Sequence, residues 1–373
     1  MLTRKFATLP CLLMMLCCAS GSRAQAQDST TFTVGVASRH VLPDEPYDWR
    51  GAGMHALLEV VWYPAESGAD AKPQMIPPVG TALLEAAAAA PNAKLAPSPA
   101  KFPLILLSHG TGGTAESMAW FATALAARGY IVAGVNHPGN NAMEPHTVQG
   151  FMLWWERAKD ISTVLDDMLA DPDFGPRIDP RRIGAAGFSL GGYTMMELAG
   201  GITSFGQFEA TCKAKPDQVS CKAPPEFPDL RAKADALAAA DPAFAQALRD
   251  GGKSYRDPRI RAVFAMAPAL GPAVTSESLS AIAIPTAIVA GAGDSVVPVD
   301  ANARYYAAKI PHAELAIFPG GVDHYTFLDV CTEAGRSTIA PLCVDRPGVD
   351  REAIHNATIA LATKFFASQL GAH

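Results

Sequence analysis

The chain has 373 residues, 49% of them hydrophobic and 18% charged, and a net charge of −6. Such proportions suit one sizeable globular core and exclude both a disordered tail and a polytopic membrane protein. They also argue against nucleic acid as a partner, because phosphate binding needs clustered Lys and Arg and the chain has no basic stripe.

Residues 1–26 read as a targeting segment. Arg4 and Lys5 precede the apolar run Leu9 to Cys18, and small residues follow, ending in Arg23-Ala24-Gln25-Ala26-Gln27. This pattern predicts a signal peptide cut after Ala24 or Ala26, and hence a secreted or periplasmic protein. The apolar run is short for a bilayer, so no permanent membrane span is expected. Lipoprotein cleavage before Cys17 or Cys18 is the alternative, disfavoured because Leu16 and Cys17 are not the small residues that usually precede such a cut. Residues 27–373 would then be a single domain. It keeps Cys212, Cys221, Cys331 and Cys343, an even number that suggests disulfides in an oxidising compartment. Of the three possible pairings, Cys212 with Cys221 and Cys331 with Cys343 close the shortest loops. Free thiols are the alternative; no metal site is expected, because neither a C-x-x-C pair nor an H-E-x-x-H helix is present.

In chain order, residues 31–36 and 55–63 predict two strands that can pair antiparallel, with the turn Pro43-Asp44-Glu45-Pro46 between them. The Ala-rich stretch from Thr81, through Leu83-Leu84-Glu85-Ala86 to Pro91, predicts a short helix, followed by a surface connector to Pro103. Leu104-Ile105-Leu106-Leu107 suits a strand buried on both faces. Residues 117–128 carry helical periodicity and stop at Gly129, and Tyr130 to Val135 forms the next strand. Trp154 to Leu169 predicts a helix with Ile161, Leu165 and Met168 on one face. Strand, helix, strand, helix is a βαβ series, which implies a mostly parallel sheet with helices on both faces.

After a further strand (182–186) and helix (192–198), residues 204–258 interrupt the alternation with Lys, Asp, Pro and Ala. They read as an insertion, with one helix from Leu230 to Ala239, set where the loops of such folds build ligand sites. Strands at 260–266, 285–290 and 315–318 and a helix at 301–309 resume the pattern. A closing helix from Asp350 to Leu370 is expected to turn Ile354, Leu361 and Phe365 inward. Asn356-Ala357-Thr358 matches a glycosylation pattern, but its place inside that helix argues for coincidence.

The chemistry centres on Gly187-Phe188-Ser189-Leu190-Gly191, where strand meets helix. This is the sequence form of a nucleophile elbow, a sharp turn that exposes a serine hydroxyl to a base and to backbone N–H donors. In the chain order Ser, acid, His, only His312, His324, His355 and His373 lie downstream. His312 precedes the strand at 315, His355 falls in the closing helix and His373 is the terminus. His324 follows that strand and so shares a sheet edge with Ser189. Asp294, in the Gly-rich turn after the strand ending at Ala290, is the acid expected to hold it; Asp323 is the competitor, but a residue adjacent to His324 is poorly placed to orient the ring. Backbone N–H groups of Leu190 and of Thr111, in the loop His109-Gly110-Thr111-Gly112-Gly113, are the expected oxyanion hole. His109 reads as an orienting residue of that loop, and His137, Trp154 and Trp155 as pocket lining or core.

Leu107-Ser108-His109-Gly110-Thr111-Gly112-Gly113, the strand Tyr130 to Val135 with its loop Asn136-His137-Pro138-Gly139, the elbow, Gly293-Asp294 and Asp323-His324 together resemble the α/β-hydrolase superfamily. More narrowly, they resemble bacterial proteins similar to platelet-activating-factor acetylhydrolases and labelled dienelactone-hydrolase-like. The resemblance implies the α/β-hydrolase fold and a cofactor-free serine hydrolase that acts on small-molecule esters through an acyl-enzyme. Dienelactone hydrolases use a cysteine nucleophile, and Ser189 stands in its place here, which puts dienelactone in doubt as a substrate. The alternatives are an amidase or peptidase with the same triad, or a non-catalytic scaffold, which would be expected to lack a triad member or the Gly-rich loop.

Overall fold

A parallel sheet forms where apolar β-branched and leucine runs alternate with amphipathic helices, and that pattern dominates the middle of the chain. The computed structural model describes residues 1, 31–42, 51, 56–77 and 80–371. The expected signal peptide with Cys11, Cys17 and Cys18, the turn at 43–46 and His373 lie outside the described residues.

The strands are β1 (Thr33–Val41), β2 (Leu57–Ala65), β3 (Lys72–Ile76), β4 (Leu84–Pro91), β5 (Phe102–Ser108), β6 (Ile131–Asn136), β7 (Ile178–Phe188), β8 (Ala262–Met266), β9 (Thr286–Gly291), β10 (Glu314–Phe318) and β11 (Val330–Cys331). The helices are α1 (Ala119–Ala126), α2 (Val148–Met152), α3 (Glu156–Ala170), α4 (Leu190–Ala199), α5 (Phe205–Ala214), α6 (Leu230–Ala240), α7 (Pro242–Asp250), α8 (Ser276–Ser280), α9 (Ala303–Lys309), α10 (Glu333–Thr338), α11 (Ala340–Cys343) and α12 (Arg351–Leu370). The sheet runs β10-β9-β8-β7-β5-β6-β2-β1-β4-β11, with β3 on β4. Neighbours from β10 to β6 are parallel, whereas β6, β2 and β1 pair antiparallel. This is the α/β-hydrolase fold.

Alternation along each central strand builds two cores. Leu104, Leu106, Ile183 and Ala185 face α3, α4 and α9, while Ile105, Leu107 and Ala186 face α1 and α12. Burial on both faces explains why β5 to β8 read as unbroken apolar runs. In α12 the buried stripe is Thr358, Ile359, Ala362, Phe365 and Phe366, at helical spacing. Leu361 falls beside that stripe and is exposed, against expectation, while Ile354 is partly buried and Phe365 buried.

The Ala-rich stretch forms no helix. Leu84–Pro91 is strand β4, paired with β1, β3 and β11. So short a segment gains little from helix propensity because nucleation is costly, and three strand partners outweigh it. The segment between α4 and β8 holds three α-helices, α5 to α7, where the sequence predicts one. They pack on residues 151–155 in a separate apolar cluster that includes Phe151, Met152, Trp155, Leu230 and Phe244. Disulfides join Cys212 to Cys221 and Cys331 to Cys343, the two short-loop pairings. Among the described residues no helix is long and apolar enough to cross a membrane.

Glu59 of β2 is fully buried opposite Arg39 of β1, its nearer oxygen 3.8 Å from the Arg39 Nε and neither oxygen hydrogen-bonded. Burial raises its carboxyl from 4.5 to about 8, with Arg39 only partly offsetting this. Folding therefore retains a proton that the unfolded chain loses, so the stabilisation is complete below about 4.5 and is lost as pH rises through about 8. Glu59→Gln removes this dependence: thermal melts are expected to show the variant gaining on the wild type across that window, and a constant difference in Tm would contradict it.

Candidate active site

Ser189 sits between β7 and α4 with φ 56° and ψ −116°, a left-handed region that a non-glycine residue rarely occupies. Its surroundings impose that conformation. Its N–H donates to the Met266 carbonyl (2.9 Å), and its carbonyl accepts from Tyr193 N–H (3.1 Å) and Ala269 N–H (3.0 Å). Glycine is required on both sides: a Cβ on Gly187 would overlap the Gly191 backbone, and one on Gly191 would overlap the Ser108 carbonyl.

The structure brings Ser189, His324 and Asp294 together from three separate strand ends. The Ser189 hydroxyl lies 2.8 Å from His324 Nε2, and His324 Nδ1 lies 2.8 Å from Asp294 Oδ2. All three are buried, Ser189 being 7% exposed. The other Asp294 oxygen accepts from the N–H groups of Val296 (3.0 Å) and Val297 (2.6 Å), which fixes the carboxylate in the turn after β9. With the acid held as an acceptor, His324 carries its proton on Nδ1 and leaves Nε2 to accept from the serine.

Asp323 has a different task. It caps the turn His324–Phe327, accepts from His324 N–H (2.7 Å) and Ser295 N–H (2.9 Å), and pairs with Arg346 (2.8 Å). Partial burial works to raise its carboxyl, but hydrogen bonds from Ser295 and His324 outweigh it and hold the group below its ordinary value. Asp329, Asp345 and Arg351, which the sequence does not single out, brace the same turn together with His355 of the closing helix. Thr326 donates to Asp345 (2.7 Å), whose other oxygen accepts from Arg351 (2.8 Å). Asp329 accepts the Ala119 and Trp120 N–H groups at the start of α1 (3.1 and 2.8 Å). His355 meets the Thr326 carbonyl (2.8 Å) and stacks on Trp120 at 3.9 Å. Burial lowers the His355 imidazole to about 4, so it stays neutral in this stack. Only tertiary contact reveals these partners, because their types carry no local signal.

Of the two expected oxyanion donors, Leu190 opens α4, where first-turn N–H groups lack an intrahelical acceptor. Thr111 is exposed in a loop whose Gly110 lies against the serine: a Cβ there would come within 3.2 Å of Ser189 Cβ. His109 is buried beneath this loop with both nitrogens engaged, Nδ1 with the Gly110 carbonyl (2.6 Å) and Nε2 with His137 N–H (3.1 Å). Burial first, then the charges of Arg157 and His137, keep it neutral, so it orients the loop. His137 is itself buried, bridging Ser108 Oγ (2.9 Å) and Asp160 (2.7 Å). Trp155 is buried against Phe205, and Trp154 stacks on the same ring at 5.3 Å, so both tryptophans join α5 to the sheet body. A cleft of about 470 Å³ lies between α5, α6, α7 and Met152, with Phe205, Arg231 and Leu248 in its lining, and it includes none of Ser189, His324 and Asp294.

Comparison with known proteins agrees with this fold. Residues 79–151 match the family described as platelet-activating factor acetylhydrolase, isoform II. Lipase 1 of Moraxella sp. (strain TA144) is 34% identical over 86 residues, covering 22% of this chain and 23% of the lipase, so the chain matches about a quarter of that relative's length. The solved structure of a ferulic acid esterase from Streptomyces cinnamoneus superposes with a TM-score of 0.57 over 92% of both chains at 18% identity. The protein thus has the α/β-hydrolase fold and resembles the acetylhydrolase-like proteins of that superfamily.

The close approach at the elbow is testable without any substrate. Gly191→Ala is expected to abolish the cooperative thermal transition. Gly206→Ala, in α5 with open space around it, should hold or raise stability by roughly 0.5–1 kcal/mol. A Gly191→Ala protein melting at the wild-type temperature would refute the packing argument.

Proposed function

We propose that the protein is an exported serine hydrolase of carboxylic esters, with Ser189 as nucleophile, His324 as general base and acid, and Asp294 as the residue that orients the histidine. The observation that carries this reading is the unbroken hydrogen-bonded relay from Ser189 through His324 to Asp294, 2.8 Å at each step. The similarity to acetylhydrolase, lipase and esterase proteins supports an ester as substrate. The two disulfides support an oxidising compartment.

In this mechanism Ser189 Oγ attacks the ester carbonyl carbon as His324 Nε2 takes its proton. Asp294 stabilises the imidazolium that forms and keeps Nδ1 protonated throughout. The carbonyl oxygen becomes an oxyanion received by the N–H groups of Leu190 and Thr111, donors typically worth ~3 kcal/mol each in the transition state. His324 returns the proton to the leaving alkoxide, and the acyl group remains on Ser189. Water, deprotonated by His324, then attacks the acyl-enzyme; the bond from the acyl carbon to Ser189 Oγ breaks, His324 returns the proton to Oγ, and the acid leaves. No step requires a cofactor. An amide would place a poorer leaving group on the same path, so side-by-side ester and anilide rates separate esterase from amidase.

Ser189→Ala is expected to abolish p-nitrophenyl acetate hydrolysis and labelling by a fluorophosphonate while the melting temperature is kept; unchanged turnover would sink the proposal. Asp294→Asn should lower kcat by up to about 10⁴ through the wrong imidazole tautomer. Asp323→Asn, by contrast, should act chiefly through stability, and the reverse ranking would transfer the orienting role to Asp323.

A further inference from the structure

The segment between α4 and β8 reaches back to the Gly-rich loop along a row of aromatic rings. Within it, Ala223-Pro224-Pro225-Glu226-Phe227-Pro228 carries three prolines, which fix the backbone φ. The Cys212–Cys221 disulfide ties this strap on one side and α6 follows it on the other. The strap is also bonded internally, with Phe227 N–H donating to the Pro224 carbonyl (2.9 Å) and Leu230 N–H to the Phe227 carbonyl (3.1 Å).

The Phe227 ring meets Phe151 edge to face at 5.6 Å, and Lys233 Nζ lies 5.0 Å from its centroid. Phe151 packs in turn on His146 at 4.8 Å. The His146 ring borders the Gly-rich loop, since a Cβ on Gly112 would lie 3.8 Å from its Cε1 and Nε2. Gly110 of that loop abuts Ser189. Phe151 is buried, while His146 and Phe227 are half-buried. Beside Phe227 in the strap, Glu226 is near enough to act on Tyr325, which follows His324: burial raises the Tyr325 phenol, and the charges of Glu226, Asp294 and Asp323 raise it further. The strap therefore connects the flank of the Gly-rich loop with the flank of the histidine turn.

We propose that His146 and Phe227, backed by the buried Phe151, form a subsite for a flat apolar group of the ester, so that aromatic esters are preferred over their small aliphatic counterparts. This rests on the ester-hydrolase reading above. Rings already held by prolines, a disulfide and neighbouring rings lose little freedom when a ligand stacks on them, so more of the contact appears as binding. An apolar group seated there also displaces water from beside the Gly-rich loop, where hydrogen bonds to a developing oxyanion then act in a lower dielectric.

The test uses the full disulfide-bonded chain and two pairs of esters: methyl benzoate with methyl acetate for the acyl side, and benzyl acetate with methyl acetate for the alcohol side. For each pair the ratio of kcat/KM is compared between wild type and Phe227→Ala, which cancels intrinsic reactivity. The expected result is a roughly tenfold fall in one of the two ratios, which also says on which side of the ester the group lies. Phe227→Leu, which keeps apolar bulk and guards against loss of fold, should move the same ratio in the same direction by less. Both ratios staying within twofold of wild type in both variants would overturn the subsite alone, provided that the wild type labels with a fluorophosphonate at Ser189. Wild-type protein that neither labels nor turns over any ester overturns the hydrolase reading and the subsite with it.

Discussion

The structure depends on the forced turn at Ser189. A non-glycine residue at positive φ is costly, on the order of 1–3 kcal/mol, and persists only where the surroundings over-determine it. Here the ends of β5, β7 and β8 do so together. Ser108 crowds Gly191, Met266 holds the Ser189 N–H, and Ala269 and Tyr193 hold its carbonyl. Parallel pairing is what makes this convergence possible, because it brings the C-terminal ends of the central strands to one edge.

The same edge separates two aspartates that sequence position alone leaves in competition. Asp294 reaches the imidazole from the end of β9, whereas Asp323, next to His324 in the chain, caps the turn it begins and ties it to Ser295 and Arg346. Division of labour among the histidines follows similar logic. His109, His137 and His355 are each buried with carbonyl, hydroxyl or carboxylate partners and are structural, while His324 faces Ser189, the one serine at positive φ among the described residues.

Much of this architecture was legible in the sequence because the determining signals are local. The apolar runs of β5 and β6, the glycines flanking Ser189 and the carboxylate and imidazole after β9 and β10 all declare themselves within a few residues. What escaped is non-local. The alanines of β4 look helical until β1, β3 and β11 are in place, and nothing in Lys72–Ile76 announces a strand without that neighbour. Helices α5 and α7 are short and gain their stability from residues 151–155, far away in sequence. Leu361 shows the limit of periodicity, since a one-position rotation of the buried stripe sends it to solvent. The bracing of the histidine turn by Asp329, Asp345 and Arg351 was equally invisible, and His355 was legible only as a residue of the closing helix, because each acts through contacts that exist only once α1 and α12 are packed.

The placement of β11 has a geometric consequence. It pairs with β4 at one end of the strand order, yet the chain leaves β10, at the other end, only at Phe318 and enters β11 at Val330. A chain of that length spans at most about 43 Å even when fully extended, and the 3₁₀ turn at His324–Phe327 takes roughly 5 Å from that reach. In a flat sheet the two end strands would stand about 43 Å apart at ordinary strand spacing. The sheet therefore cannot lie flat, and His324 rides on the cord drawn between its two margins. Its position is thus set by the curvature of the whole sheet as well as by its immediate neighbours.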